Sequence, residues 1–162
     1  YWEAAMNIKF WIGLFFASAS CCSCDPGDRV PTGPVTAAEI SCLYTDMKSH
    51  CDSIMLFWRQ HCEDRLYGGF LTNFDVRGND LGTLEKCLDT QCHFVWTFSS
   101  LSRWGGSKEY ERLARIGIDF LLVNMWDRKF GGFYWKCRQD GSELNRVKVV
   151  QSEAIAICAL SE

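Results

Sequence analysis

One phrase is spelled twice in this chain, and it limits the possible folds more than any other feature. "DRLYGGFLTNFDVRG" begins at Asp64, and "DRKFGGFYWKCRQDG" begins about sixty residues later at Asp127. Gly68, Gly69, Phe70 and Gly78 return at the same offsets as Gly131, Gly132, Phe133 and Gly141. The match runs on through Lys86 and Lys148, and ten residues past each lysine come Trp96 and Cys158. A period of this length means repeated supersecondary units that lean on their neighbours, not one indivisible core.

Hydrophobic periodicity shows what the unit contains. Between Val35 and Cys62, Ile40, Leu43, Met47, Ile54 and Trp58 fall at steps of three, four or seven, the stripe of a one-sided helix. Thr36 and Glu39 form a capping-box pair at its start. Residues 108–124 repeat the pattern with Tyr110, Leu113, Ile116, Phe120 and Leu121. By contrast, "CHFVWTFSSL" and "QSEAIAICALSE" are apolar nearly all round, as in helices buried on every side. The repeated phrase lies between the two helix types. Its paired glycines permit unusual backbone angles, and "FLTNF" and "FYWKC" are rich in strand formers, so a short hairpin is expected there. The unit is then outer helix, hairpin, inner helix. Its alternation predicts an all-α double ring in which inner helices line a centre and outer helices wrap it.

The ends carry other signals. "MNIKFWIGLFFASASC" has Lys9, an apolar run from Phe10 to Phe16 and then small residues, the layout of a secretory signal too short to span a bilayer. Met6 is then the start, and residues 1–20 form a signal-like segment. "ASA" at Ala17 to Ala19 fits ordinary signal cleavage, while "SASC" reads as a loose lipobox with Cys21 as the lipidated residue and membrane tether. Residues 21–34, rich in Cys, Asp, Gly and Pro, look like a tether, and the folded domain is expected over 35–162. The protein is exported, periplasmic or lipid-anchored, if the segment acts as a signal, and cytoplasmic otherwise. Tyr1 at the front and the uncapped "AIAICALSE" at the back read as the ends of a fragment.

Charge and cysteines narrow the chemistry. A formal net charge of −3 with interspersed signs offers no basic stripe, so nucleic acid is not an expected partner. The pairs His50-Cys51 and His61-Cys62 tempt a zinc reading, but eleven residues of helix separate them by about 16 Å, too far for one ion. No metal site is expected. Seven cysteines follow Cys24 without the spacing of a disulfide framework, a pattern more at home in a reducing compartment than in an exported protein.

The motifs "FWRQHCEDRLYGGF", "VWTFSSL", "DRKFGGFYW" and "QSEAIAICALSE", in that order, resemble the N-acylglucosamine 2-epimerase superfamily, and the last three look most like its cellobiose (mannobiose) 2-epimerase branch. The resemblance covers Ser41 to Glu162. It implies an (α/α)6 toroid of which this chain holds the first two helix pairs and part of a third at most. It also implies sugar epimerisation or aldose–ketose isomerisation on a mono- or disaccharide, with no cofactor. In such chemistry the ring opens, a base removes the proton beside the carbonyl, and an acid returns it to the enediolate. The family uses a histidine pair, suited by an imidazole pKa near neutrality. The resemblance places that pair beyond Glu162, so no catalytic residue is expected within the chain, which alone should be inactive.

Two positions depart from the family pattern. His93 stands where an Arg usually precedes the Trp of "WTFS", and Gln151 and Glu153 stand where Tyr and Gln are usual. A neutral imidazole donates one hydrogen bond and does not reproduce a guanidinium fork. A non-catalytic carbohydrate-binding barrel is therefore carried as an alternative to the epimerase and to a mannose-type isomerase. His93 is the leading polar candidate for a sugar cavity, with a structural hydrogen-bonded histidine as the competing reading. Tyr134 and Trp135 could stack on a sugar face or simply pack in the core. Gln151 and Glu153 could line the cavity mouth or merely favour the positive end of a helix.

Overall fold

The computed structural model describes residues 34–105 and 107–162. The signal-like segment, nearly all of the tether and Cys21 lie outside the described residues. The chain divides into two compact units, Tyr1–Asp46 and Met47–Glu162. In the first, the described residues are the opening turns of helix α1 (Ala37–His61). There the expected capping box forms. Thr36 N–H donates to Glu39 Oε2 at 2.8 Å, and Glu39 N–H donates to Thr36 Oγ1 at 3.3 Å.

The second unit holds the rest of α1, strand β1 (Glu85–Cys87), helix α2 (Leu88–Arg103), helix α3 (Lys108–Phe120), a π-helical turn (Leu121–Met125), strand β2 (Lys136–Arg138) and helix α4 (Val150–Ser161). Helix α2 is the centre of this unit, packed against both α3 and α4. Its Val95 and Phe98 are fully buried, and Phe70 lies between its Phe94 and Phe98 with ring centroids 4.8 and 5.6 Å away. No described helix is long and apolar enough to cross a membrane.

Three expectations need correction. The α1 stripe is not buried along its length: Ile40, Leu43, Met47 and Ile54 are exposed, and burial falls on its last member, Trp58, together with Met55 and the following Cys62. These three share a face, and Trp58 meets Phe74 and Phe94 edge-on at 5.7 and 5.1 Å. The second outer helix also ends early, at Phe120, and continues as a π turn closed by Trp126 N–H on Leu121 C=O at 3.0 Å.

The hairpins expected between outer and inner helices form, but as minimal ones. Each phrase closes on itself only through single bridges, Glu63–Phe70 and Phe74–Asp80 in the first copy, Trp126–Phe133 and Cys137–Glu143 in the second. The continuous ladder joins the two copies: β1 pairs antiparallel with β2, with Lys86 opposite Cys137. Strand propensity marks a segment that fits a pleated surface, and it leaves the partner unspecified. The third correction is that the inner helices are not buried all round. On α4, Ser152, Ala156 and Ala159 are buried while Ile157 is 70% exposed.

Gly117 lets α3 approach α2. A Cβ there would lie 2.5 Å from Val95 Cγ2 and 2.6 Å from Phe70 Cε2. Helix propensity alone would make Gly117→Ala stabilising by about 1 kcal/mol. Overpacking costs about 1–3 kcal/mol, so the variant is expected to unfold at lower denaturant than wild type. A higher midpoint would mean that the contact yields.

Candidate functional site

The repeated phrase builds the same clasp twice. In the first copy Asp64 Oδ1 accepts the Leu66 and Tyr67 N–H groups, each at 3.0 Å, and its Oδ2 takes Lys86 Nζ at 2.8 Å. Lys86 Nζ also donates to Gly68 C=O at 2.5 Å and lies 4.5 Å from the Phe120 ring centroid. In the second copy Asp127 Oδ1 accepts from Lys129 and Phe130, Oδ2 takes Lys148 Nζ at 2.7 Å, and Lys148 also donates to Gly131 C=O. One carboxylate thus folds the turn, and one ammonium ties it to the start of the inner helix.

The two clasps differ in setting. Lys86 is 0% exposed, because the second copy lies over it: Gln139 Nε2 reaches Asp64 Oδ2 at 3.3 Å, and Cys137 Sγ faces Lys86 C=O at 3.9 Å. Lys148 is 31% exposed. Burial pushes the Asp64 pKa up, but the Lys86 ammonium and the turn N–H groups outweigh it and hold the carboxyl below its ordinary value. At Asp127 the Lys148 bond dominates and brings the pKa down to about 2. A depressed carboxylate contributes stability above its unfolded pKa of about 4. That contribution is lost as pH falls from there through about 2. Asp127→Asn is therefore expected to flatten the acid limb of the stability curve over this window. An unchanged limb would contradict the clasp.

Inside each turn a side chain from the inner helix completes the backbone. Gln91 accepts from Phe70 N–H at 2.8 Å and donates to Phe70 C=O at 2.9 Å. Glu153, its counterpart in the second copy, accepts from Phe133 N–H at 2.7 Å and, as a carboxylate, has no donor for Phe133 C=O. Glu153→Gln should restore the second bond and stabilise the chain by about 0.5–1.5 kcal/mol, read as a shift in urea midpoint. No gain would mean that Phe133 C=O is already satisfied.

The nominated residues fall into two groups. Tyr134, Trp135 and Glu153 gather at the second turn. Lys148 Nζ lies 5.8 Å from the Tyr134 ring and Lys136 Nζ 4.9 Å from the Trp135 ring, while Trp135 C=O accepts the Leu88 N–H that opens α2. Both aromatic residues are half-buried. His93, on α2, and Gln151, in the first turn of α4, are exposed, and their side chains make no hydrogen bond or ion pair among the described residues. Sequence reasoning overlooked Gln91, although the repeat offset from Lys86 places it where Lys148 places Glu153.

Among the described residues no group of three or more His, Cys, Asp or Glu is placed to hold a metal. The seven described cysteines are free thiols. Burial pushes Cys62 and Cys92 up to about 12 and Cys137 up to about 11, which keeps them as unreactive thiols.

This geometry has close relatives. A cellobiose 2-epimerase from Bacteroides fragilis is 28% identical over 109 residues, 67% of this chain and 28% of that protein. The solved cellobiose 2-epimerase of Spirochaeta thermophila superposes with a TM-score of 0.72 at 26% identity, over 79% of this chain and 32% of that one. In sequence and in fold the chain is similar to sugar 2-epimerases, which supports its resemblance to the N-acylglucosamine 2-epimerase superfamily. Its helices are those of an α/α toroid with a small two-stranded sheet. A D-mannose isomerase structure, 25% identical, matches 72% of this chain and 29% of its own with a TM-score of 0.66. The chain spans less than a third of the length of these superfamily relatives. No family model matches it.

Proposed function

We propose that this chain forms the N-terminal part of a carbohydrate 2-epimerase. The observation that carries the reading is the match, in sequence and in fold together, to sugar 2-epimerases over two thirds or more of the chain. In the proposed reaction an aldose opens to its aldehyde, a base removes the C2 proton, and the resulting enediolate is reprotonated at C2 on the opposite face. The acid–base pair is proposed to lie outside residues 1–162. His50 and His61 belong to outer helix α1, and His61 is stacked on Phe57 at 4.8 Å, leaving His93 as the inner-helix imidazole.

His93 is then assigned a polarising role, donating one hydrogen bond to a sugar oxygen. Tyr134 and Trp135 offer ring faces to the apolar face of a pyranose, and Gln151 supplies amide contacts at the rim. One Glu153 oxygen is already engaged by Phe133 N–H, so only the other is free for substrate. The D-mannose isomerase likeness favours a second reading, in which the same enediolate is reprotonated at C1 to give a ketose.

A polypeptide that includes this chain should be incubated with cellobiose, mannobiose, N-acylglucosamine and mannose, and its products separated. A C2 epimer supports the first reading and a ketose the second. Saturable sugar binding with no product would sink both and leave a carbohydrate-binding barrel. The signal-like segment and a lipid on Cys21 are part of the proposal, tested by mass spectrometry of the mature N-terminus.

A further inference from the structure

A hollow of about 220 Å3 opens where the two copies meet, lined by Tyr67 and Leu84 from the first copy and Arg138, Gln139 and Asp140 from the second. None of these residues was nominated from the sequence. The second-copy wall is held in place. Gln139 N–H donates to Leu84 C=O at 3.1 Å, and its side chain reaches Asp64. Ser142 N–H donates to Asp140 Oδ1 at 2.9 Å, and Arg138 Nη1 donates to Glu143 C=O at 2.6 Å. That leaves Arg138 Nη2 and Nε and the Tyr67 hydroxyl without a partner among the described residues, while Asp140, which holds both the backbone and the side chain of Ser142, keeps carboxylate lone pairs to accept with, beside a Tyr67 residue that is 43% exposed.

The chemistry of these groups selects the ligand. One carboxylate and one guanidinium side by side nearly cancel in charge, so neither an anion nor a cation is favoured. They do supply both an acceptor and donors at short spacing, next to an aromatic face and the exposed Leu84 side chain. Vicinal hydroxyls on a ring with an apolar face match that set. The volume lies below the roughly 300–1,000 Å3 of pockets for drug-sized ligands, which suits one ring and not two.

We infer that this hollow is a neutral-saccharide subsite that takes a single pyranose ring, with Tyr67 stacking, Asp140 accepting from hydroxyls and Arg138 donating to them. The ligand class rests on the epimerase reading, and the location does not. The repeat supplies a control. Phe130, the counterpart of Tyr67, is 73% exposed, has no hydroxyl and carries Lys129 Nζ 4.9 Å from its ring centroid.

The test is a titration of the 15N-labelled full chain with cellobiose, followed by amide shifts. Saturable shifts are expected at Leu84, Gln139 and Asp140. Tyr67→Ala and Asp140→Asn should each weaken them about tenfold or more, a loss near 1.4 kcal/mol, while Phe130→Ala leaves them unchanged. An absence of saturable shifts, or shifts that survive both variants, overturns the subsite. Saturable shifts confined to His93, Trp135 and Gln151 also overturn it, and leave the epimerase reading standing. Binding at the hollow by this chain, together with no sugar turnover by a longer polypeptide that includes it, supports the subsite and fails the epimerase reading instead.

Discussion

Lys86→Met is expected to lower the unfolding free energy by about 3–5 kcal/mol, while Lys148→Met costs about 1–2 kcal/mol. The two lysines make the same bonds, to the aspartate that folds the turn and to a glycine carbonyl within it. Only their surroundings differ. Removing Lys86 leaves the Asp64 carboxylate without its counter-charge where little water reaches it, since the side chains are 0% and 4% exposed. Removing Lys148 uncovers a group that solvent can partly serve. A buried pair replaced as a whole often costs little, so Asp64→Leu added to Lys86→Met should recover much of the loss in urea melts. Equal effects of the two single variants would contradict the difference in burial, and no recovery in the double variant would show that the turn needs the aspartate more than it needs the ion pair.

Gly69→Ala is the second large effect. Its φ is +68°, in a region that disfavours an L side chain by about 1–2 kcal/mol. A Cβ would also lie 2.8 Å from both Gln91 Oε1 and Phe120 Cγ. The steric conflict adds about 1–3 kcal/mol and pushes away the amide that holds Phe70. Gly82→Ala, at φ +85° with nothing near, carries the backbone cost alone. Urea midpoints should therefore fall much further for Gly69→Ala than for Gly82→Ala. Similar shifts would mean that Gly69 is there only for its backbone angle.

These two sites also show how far the sequence could be read. The doubled phrase marked Asp64, Gly69, Lys86 and their counterparts as equivalent, because a repeat preserves offsets whether or not the bonding is known. On α3 the buried face was legible from periodicity, since one-sided burial leaves a trace at every third or fourth residue, as Leu113 and Phe120 do. What stayed hidden depends on partners distant in sequence. The pairing of Lys86 with Cys137 across the copies leaves no local signal. The exposure of Ile40 and Leu43 on α1 depends on what lies over that face, which its own periodicity does not record. Gln91 looked like an ordinary polar residue in an apolar helix until Phe70 was seen to use both ends of its amide. The nominated sugar-facing residues were chosen by type and resemblance, and of these only Tyr134, Trp135 and Glu153 gather at one turn.

The proposal that this chain serves chemistry at C2 of an aldose makes a prediction that solvent deuterium can read. A polypeptide that includes residues 1–162 should be held with cellobiose in D2O and the recovered sugars examined by NMR for hydrogen at C2. Deuterium is expected at C2 in the epimer, because the proton leaves to the protein and returns from solvent through an enediolate. Recovered cellobiose with C2 fully protonated and no epimer would contradict the proposal.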